Sequence, residues 1–235
     1  MENLNINKRN LKNIAIISMI IDHIGAVILQ KFYTYNIHKI YILCRFIGRI
    51  SFPIFAFCLV EGFIYTSNRK KYFIRLLIFA LISEVPYDLA LNNSIFELRN
   101  QNILFTFTLA LLELIILDKI NIKRNHTNIK IILFNLIIII FFMIVTDIIN
   151  CDYSFIAILI ITITYFFYKK RNCAMLIDSL ILILWDNIEI TTLLSCFFIY
   201  LYNGKQGNNK KAFYYLFYPI HLFILFIISK YIFIV

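Results

Sequence analysis

The sequence predicts an all-α, polytopic bundle of transmembrane helices, about nine spans in a single domain over residues 1–235, with the N-terminus on the cytoplasmic side. Three observations predict it. Hydrophobic residues make up 61% of the 235-residue chain and charged residues 15%, with a mean hydropathy of +0.81. An average soluble domain holds roughly 45–50% and 25%, and no soluble fold of this length has interior enough for the difference. The apolar residues also run continuously, and 5 Gly and 3 Pro are too few for the turns of a β-barrel. Finally, basic residues gather in alternate connections between the runs. Together these exclude a soluble enzyme, a disordered chain and a secreted disulfide scaffold.

A spanning helix needs about 20 mostly apolar residues. The apolar runs fall at 13–32, 41–66, 72–91, 102–118, 129–148, 154–168, 173–185, 190–202 and 212–234. The first lacks a small-residue cleavage site and is expected to stay as a span. The seventh and eighth are short: two thin spans, or one re-entrant hairpin, giving seven spans plus the hairpin.

Charge position sets orientation. Lys8, Arg9 and Lys12 precede the first run. Arg69, Lys70, Lys71 and Arg75 follow the second; Lys119, Lys123, Arg124 and Lys130 follow the fourth. Lys169, Lys170 and Arg171 follow the sixth, and Lys205, Lys210 and Lys211 the eighth. These are 17 of the 23 bases. The intervening connections carry Asp147, Asp152, Asp186 and Glu189 with few bases. The basic connections are therefore expected in the cytoplasm and the C-terminus outside. The net charge of +10 sits in these short clusters, which fits a membrane surface and gives no reason to expect nucleic acid as a partner.

An ionisable side chain within a span costs about 2.5–3.5 kcal/mol on insertion scales, so each is expected to face the bundle interior. Asp22 and His23 lie midway along the first run, diverging by about 100° around the helix; each addresses a different neighbour. Gly25 allows close approach. His23 is either a buried tie between helices or a chemical group, and a neutral imidazole is a suitable base near physiological pH. Arg45 and Arg49, four apart with Gly48 between them, share one face near the predicted outer end of the second run. They suit an anion or a structural salt bridge. Glu84 and Asp88 flank Pro86 at the same predicted depth, so the two Arg are expected to find partners among Glu84, Asp88 and Asp22. Glu61, Asn102 and Thr106 are expected to make helix-to-helix hydrogen bonds or to contact a ligand. His221 follows Pro219 at mid-depth in the last run, either structural or chemical. His38 and His126 are expected in solvated loops.

No HExxH, no clustered His/Cys ligands, no Gly-rich phosphate loop and no GxSxG occur, so no metal is expected. The five cysteines form no CxxC pair and read as small hydrophobic fillers.

Several ordered stretches resemble one known family. Leu11-Lys-Asn-Ile-Ala-Ile-Ile-Ser-Met-Ile-Ile-Asp-His-Ile-Gly25 is similar to the opening signature of the TraX family. So are Arg45-Phe-Ile-Gly-Arg-Ile-Ser-Phe-Pro-Ile-Phe-Ala-Phe57 and Val60-Glu-Gly-Phe63. Ser83-Glu-Val-Pro-Tyr-Asp88, Gln101-Asn-Ile-Leu-Phe-Thr106 and Tyr218-Pro-Ile-His221 follow in the family's order. The resemblance implies an integral membrane acetyltransferase of the bacterial cell membrane, related to the transmembrane acyltransferases. It implies acetyl-CoA as cytoplasmic donor, and as acceptor an amine or hydroxyl of a peptide, a glycan or a small molecule. The family's founding acceptor is the amino terminus of pilin. The membrane-embedded histidine of the related enzymes corresponds to His23, with Asp22 to orient it or to hold an Arg. Arg45 and Arg49 then fall to acceptor binding or site architecture, with Glu84, Asp88, Asn102, Thr106 and His221 around them. A different class would use the same buried groups as a relay in a small transporter or a non-catalytic assembly partner. Repeated halves or matching Gly/Pro-broken helices would favour transport, and neither occurs.

Overall fold

The computed structural model describes residues 6–32, 34–122, 129–207 and 211–234. These form helices α1 Lys8–Val27, α2 Tyr35–Gly48, α3 Ser51–Tyr65, α4 Arg69–Tyr87, α5 Ile103–Ile122, α6 Ile129–Ile148, α7 Ser154–Phe166, α8 Arg171–Trp185, α9 Leu193–Tyr200 and α10 Lys211–Ile234. A π-helical turn, Asp88–Asn92, extends α4, and a 3-10 helix, Asn187–Thr192, joins α8 to α9. Every apolar run is helical. Among the described residues four segments, Lys8–Lys31, Tyr35–Tyr65, Ile129–Ile148 and Phe213–Ile232, are long and apolar enough to cross a membrane.

The second run does not form one uninterrupted helix. It breaks at Gly48–Ser51, and its first half begins at Tyr35, earlier than the apolar stretch. The polar residues Asn36, His38 and Lys39 are helical too, because helix needs no apolar side chain where one face is exposed. His38 therefore sits exposed on α2, against Tyr41, and not in a loop. His126, Lys123, Arg124 and Lys210 lie outside the described residues. Hydroxyls satisfy the carbonyls freed at the break. Ser18 donates to the Ile47 carbonyl (2.5 Å), Ser51 to that of Gly48 (2.8 Å), and Thr191 to that of Phe46.

Helix starts follow local chemistry. Asn7 caps α1 by accepting from the Asn10 N–H, and Asn68 caps α4 by accepting from Lys71. Pro86 lacks an N–H and disturbs the last turn of α4, and the wider π turn follows directly.

The core lies where α3, α5 and α7 meet. Phe52, Val60 and Phe63 pack there against Phe107, Leu111, Leu114, Ile158 and Ile161. In lipid such packing contributes by close contact rather than by transfer from water. Outward-facing apolar side chains cover α6 (Leu133, Leu136, Ile137, Ile140, Ile144) and α8 (Leu176, Leu180, Leu184). A water-soluble monomer does not expose so much apolar surface, and this is the surface of a membrane protein.

The connections sort into two ends. At one, the Lys8 ammonium pairs with Glu61 (2.7 Å), which also accepts from Tyr168 and Tyr202. Nearby, Arg69 pairs with Asp118 and Arg171 donates to the Tyr202 carbonyl. Lys8 N–H donates to the Lys205 carbonyl (2.9 Å). All these belong to the basic connections. At the other end, residue 101 bridges to residue 151 and Glu97 N–H donates to Asp88 (2.8 Å). α8, the 3-10 helix and α9 form a hairpin whose tip enters this second end.

Candidate functional site

Two adjacent residues of α1 face two different neighbours. Asp22 Oδ2 accepts from Arg45 (2.7 Å) and Oδ1 from Arg49 (2.9 Å). Arg49 also donates to Glu189 (3.2 Å) and to the Tyr153 hydroxyl (3.1 Å), and that hydroxyl lies 3.3 Å from the same Glu189 oxygen. Two guanidiniums thus face two carboxylates, and the cluster balances its formal charge. Gly48 makes the approach possible, since a Cβ there would overlap the Asp22 carboxylate.

The next residue, His23, meets α10. Its Nδ1 lies 2.7 Å from Nε2 of His221, whose own Nδ1 lies 2.9 Å from the Phe217 carbonyl. Tyr218 packs edge-on against His23 with ring centroids 6.3 Å apart. Asp22 and His23 stand about 15 Å along α1 from Lys12, in the last third of that helix.

A cavity of about 280 Å³ opens among Lys8, Lys12 and Arg75 at the basic end and runs inward between α1, α3, α4, α5 and α10. Lys12 stands over the Tyr214 ring and Arg75 over that of Tyr215 at its mouth. Its inner wall is Met19, Phe107, Phe217 and Tyr218. The histidines do not line it: Tyr218, whose ring packs on His23, and Phe217, whose ring stacks on His221, stand between the cavity and the imidazole pair.

A second depression of about 300 Å³ lies at the opposite end, with Tyr87, Asp147, Asp152, Tyr153 and Trp185 in its wall. Ser154 donates to one Asp147 oxygen (2.6 Å). Asp152 is reached by solvent but closely walled. Desolvation pushes its carboxyl up from the usual range, against a downward pull from Arg49. Tyr153 connects the depression to the ion cluster. It holds φ +59° and Ser154 φ +43°, a costly left-handed pair for residues with a Cβ. Stacking of the Tyr153 ring on Phe52 (3.9 Å) and the bonds of its hydroxyl hold it there.

The predicted residues divide accordingly. Asp22, Arg45, Arg49, His23 and His221 come together. Of the three partners expected for the two Arg, Asp22 takes both, and Glu84 and Asp88 are engaged elsewhere. Glu84 accepts from the Asn102 amide, and Asp88 accepts from Asn92 (3.1 Å) and the Glu97 N–H. The π turn and the 93–101 connection fold back over Asp88 and satisfy it locally. Asn102 also donates to the Ala80 carbonyl, and Thr106 to the Asp152 carbonyl (2.8 Å), so both tie elements together. The Arg pair is not near the outer end of its segment. Because α2 begins at Tyr35, Arg49 stands about 20 Å along it and level with Asp22.

Glu189 and Tyr153 went unpredicted as Arg49 partners. Their loop composition named them as polar, but only the hairpin tip and the turn before α7 bring them in. Two fully buried carboxylates were also missed: Glu113, accepting from Thr162 (2.7 Å), and Asp178, accepting from Thr164 (2.6 Å). Their position inside apolar runs is the signal that finds them.

The comparisons with known proteins agree with one another. The family model described as TraX protein matches residues 7–229. A "Probable fimbrial assembly protein FimC, serogroup H1" from Dichelobacter nodosus is 30% identical over 250 residues, covering 95% of this chain and 96% of that protein. No solved structure matches.

Proposed function

Since the chain belongs to the TraX family, we propose that it is a multi-pass acetyltransferase of the cell membrane. In this reading it moves an acetyl group from cytoplasmic acetyl-CoA to an acceptor amine or hydroxyl at or beyond the membrane. The observation that carries the reading is the cavity from the basic end to the wall of the His23–His221 pair. Lys12 and Arg75 at its mouth suit the phosphates of CoA. Its narrow, aromatic inner part suits the pantetheine arm.

The chemistry needs one base. His23 takes the proton of the acceptor N–H or O–H as the new C–N or C–O bond forms at the thioester carbonyl. The C–S bond then breaks, and the proton passes to the departing thiolate. Asp22 balances the Arg pair beside the reacting centre and bonds no histidine. The opposite depression, with Asp147, Asp152, Tyr153 and Trp185, is where an acceptor enters. The relative's printed name concerns fimbrial assembly, which agrees with a pilin subunit as acceptor. It equally favours a second reading, an assembly partner that transfers nothing.

The test uses the purified protein in lipid nanodiscs with radiolabelled acetyl-CoA and peptides bearing a free amino terminus. His23→Ala is expected to lose about 10²–10⁴-fold in transfer while still binding acetyl-CoA, and Lys12→Ala with Arg75→Ala to weaken that binding. Wild-type protein that neither binds acetyl-CoA nor releases CoA would leave the assembly reading standing. The cytoplasmic donor side is tested in intact cells by single cysteines in a cysteine-free background. Those at Lys70 and Lys170 are expected to resist a membrane-impermeant thiol reagent, and those at Asn93 and Asp152 to react. The opposite pattern overturns the orientation.

A further inference from the structure

The contact between the two histidines fixes where their protons sit. A separation of 2.7 Å between His23 Nδ1 and His221 Nε2 holds one hydrogen, not two. The other nitrogen of His221, Nδ1, lies 2.9 Å from the Phe217 carbonyl oxygen. A carbonyl only accepts, so this Nδ1 carries a hydrogen. Were Nε2 protonated as well, His221 would be an imidazolium in the middle of the bundle. No carboxylate among the described residues pairs with either ring, and the nearest, Asp22, is taken by Arg45 and Arg49. His221 is therefore neutral, and its Nε2 is the acceptor.

The hydrogen between the rings then belongs to His23 Nδ1, and His23 Nε2 keeps a free lone pair. That nitrogen has no hydrogen-bond partner among the described residues, and the His23 side chain is only half-buried. We infer that His221 is the positioning residue of the site: anchored by the Phe217 carbonyl, it locks His23 in the Nδ1–H form and leaves Nε2 as the proton acceptor. It fills the place that a buried carboxylate takes in a Ser-His-Asp triad, but with a neutral acceptor, which costs less to bury than a charge. The inference deepens the acetyl-transfer reading and rests on it for the role of Nε2; the proton positions rest on geometry alone.

Ring-15N-labelled histidine in the full chain in nanodiscs reports those positions directly, with His23 assigned by difference against His23→Gln. In wild-type protein His23 is expected to carry its proton on Nδ1 and to have a bare Nε2. In His221→Ala it is expected to shift towards the Nε2–H form that a free neutral imidazole prefers. His221→Gln, whose amide oxygen again accepts, is expected to restore the Nδ1–H form. Turnover should fall about 10²-fold or more in His221→Ala and recover in part in His221→Gln, with KM for acetyl-CoA little changed in both. An Nε2–H form of His23 in the wild-type protein overturns the inference, as does an unchanged tautomer in a folded His221→Ala. The spectra need neither donor nor acceptor. An Nδ1–H His23 in a protein that releases no CoA would therefore sink the transfer reading and leave the proton assignment standing.

Discussion

Asp22 answers two arginines at once; its loss strands Arg45 and leaves Arg49 with Glu189 and the Tyr153 hydroxyl alone. Arg49 is mostly enclosed, with its side chain 12% exposed, and a buried charge without its partner costs about 3–5 kcal/mol. Asp22→Ala is expected to lower the melting temperature in detergent and the level of protein in the membrane. Converting Arg45 and Arg49 to Leu in the same chain should recover part of the loss. An unchanged melting temperature for Asp22→Ala alone would show that the cluster contributes nothing. Much of this centre was legible in the sequence, because a charge inside an apolar run declares that it needs a partner. The partner's identity was less so. Glu84 and Asp88 were matched to the arginines by linear depth, and Glu189 was passed over as a loop acid. Depth along the chain does not say that a turn will fold back over Asp88 or that a hairpin tip will deliver Glu189.

Among the elements, the break between α2 and α3 sets the site. The break falls inside the apolar run 41–66, so run length alone gave no sign of it. The carbonyls released at the break are held by Ser18, Ser51 and Thr191, from three different parts of the fold. Gly48→Ala places a methyl group where the Asp22 carboxylate sits. It is expected to part Asp22 from Arg49 and to lower stability by about 1–3 kcal/mol, the usual range for overpacking. Gly25→Ala meets Cys44 Cβ at 2.9 Å instead and reaches the ion cluster only at an ordinary 3.8 Å contact with Arg45 Cδ, so it serves as the comparison. Equal losses from the two would separate Gly48 from the charge cluster. The helices themselves were readable from length and composition, because a backbone in lipid has no alternative that satisfies its own hydrogen bonds.

At the scale of the whole molecule, the two ends differ in chemistry, and the path between them is short. α8 has 15 residues and α9 only 8. A 15-residue helix rises about 22 Å, against a hydrocarbon layer of about 30 Å. Yet this hairpin carries Leu176, Leu180 and Leu184 outward on α8 and Leu193, Leu194 and Phe197 on α9, where lipid tails must meet them. By contrast, α1 and α10 are of full length, 20 and 24 residues. The consequence is a lopsided hydrophobic mismatch, in which the bilayer must thin along one flank while keeping its normal depth along the other. Shorter-tailed lipids should gather at the hairpin. The protein should melt at a higher temperature in nanodiscs of fourteen-carbon than of eighteen-carbon phosphatidylcholine, and a reversed order would refute the mismatch. Thinned lipid on that flank also shortens the barrier between the two aqueous faces at the place where Glu189 and Tyr153 meet Arg49, so the membrane itself becomes part of the site's outer wall.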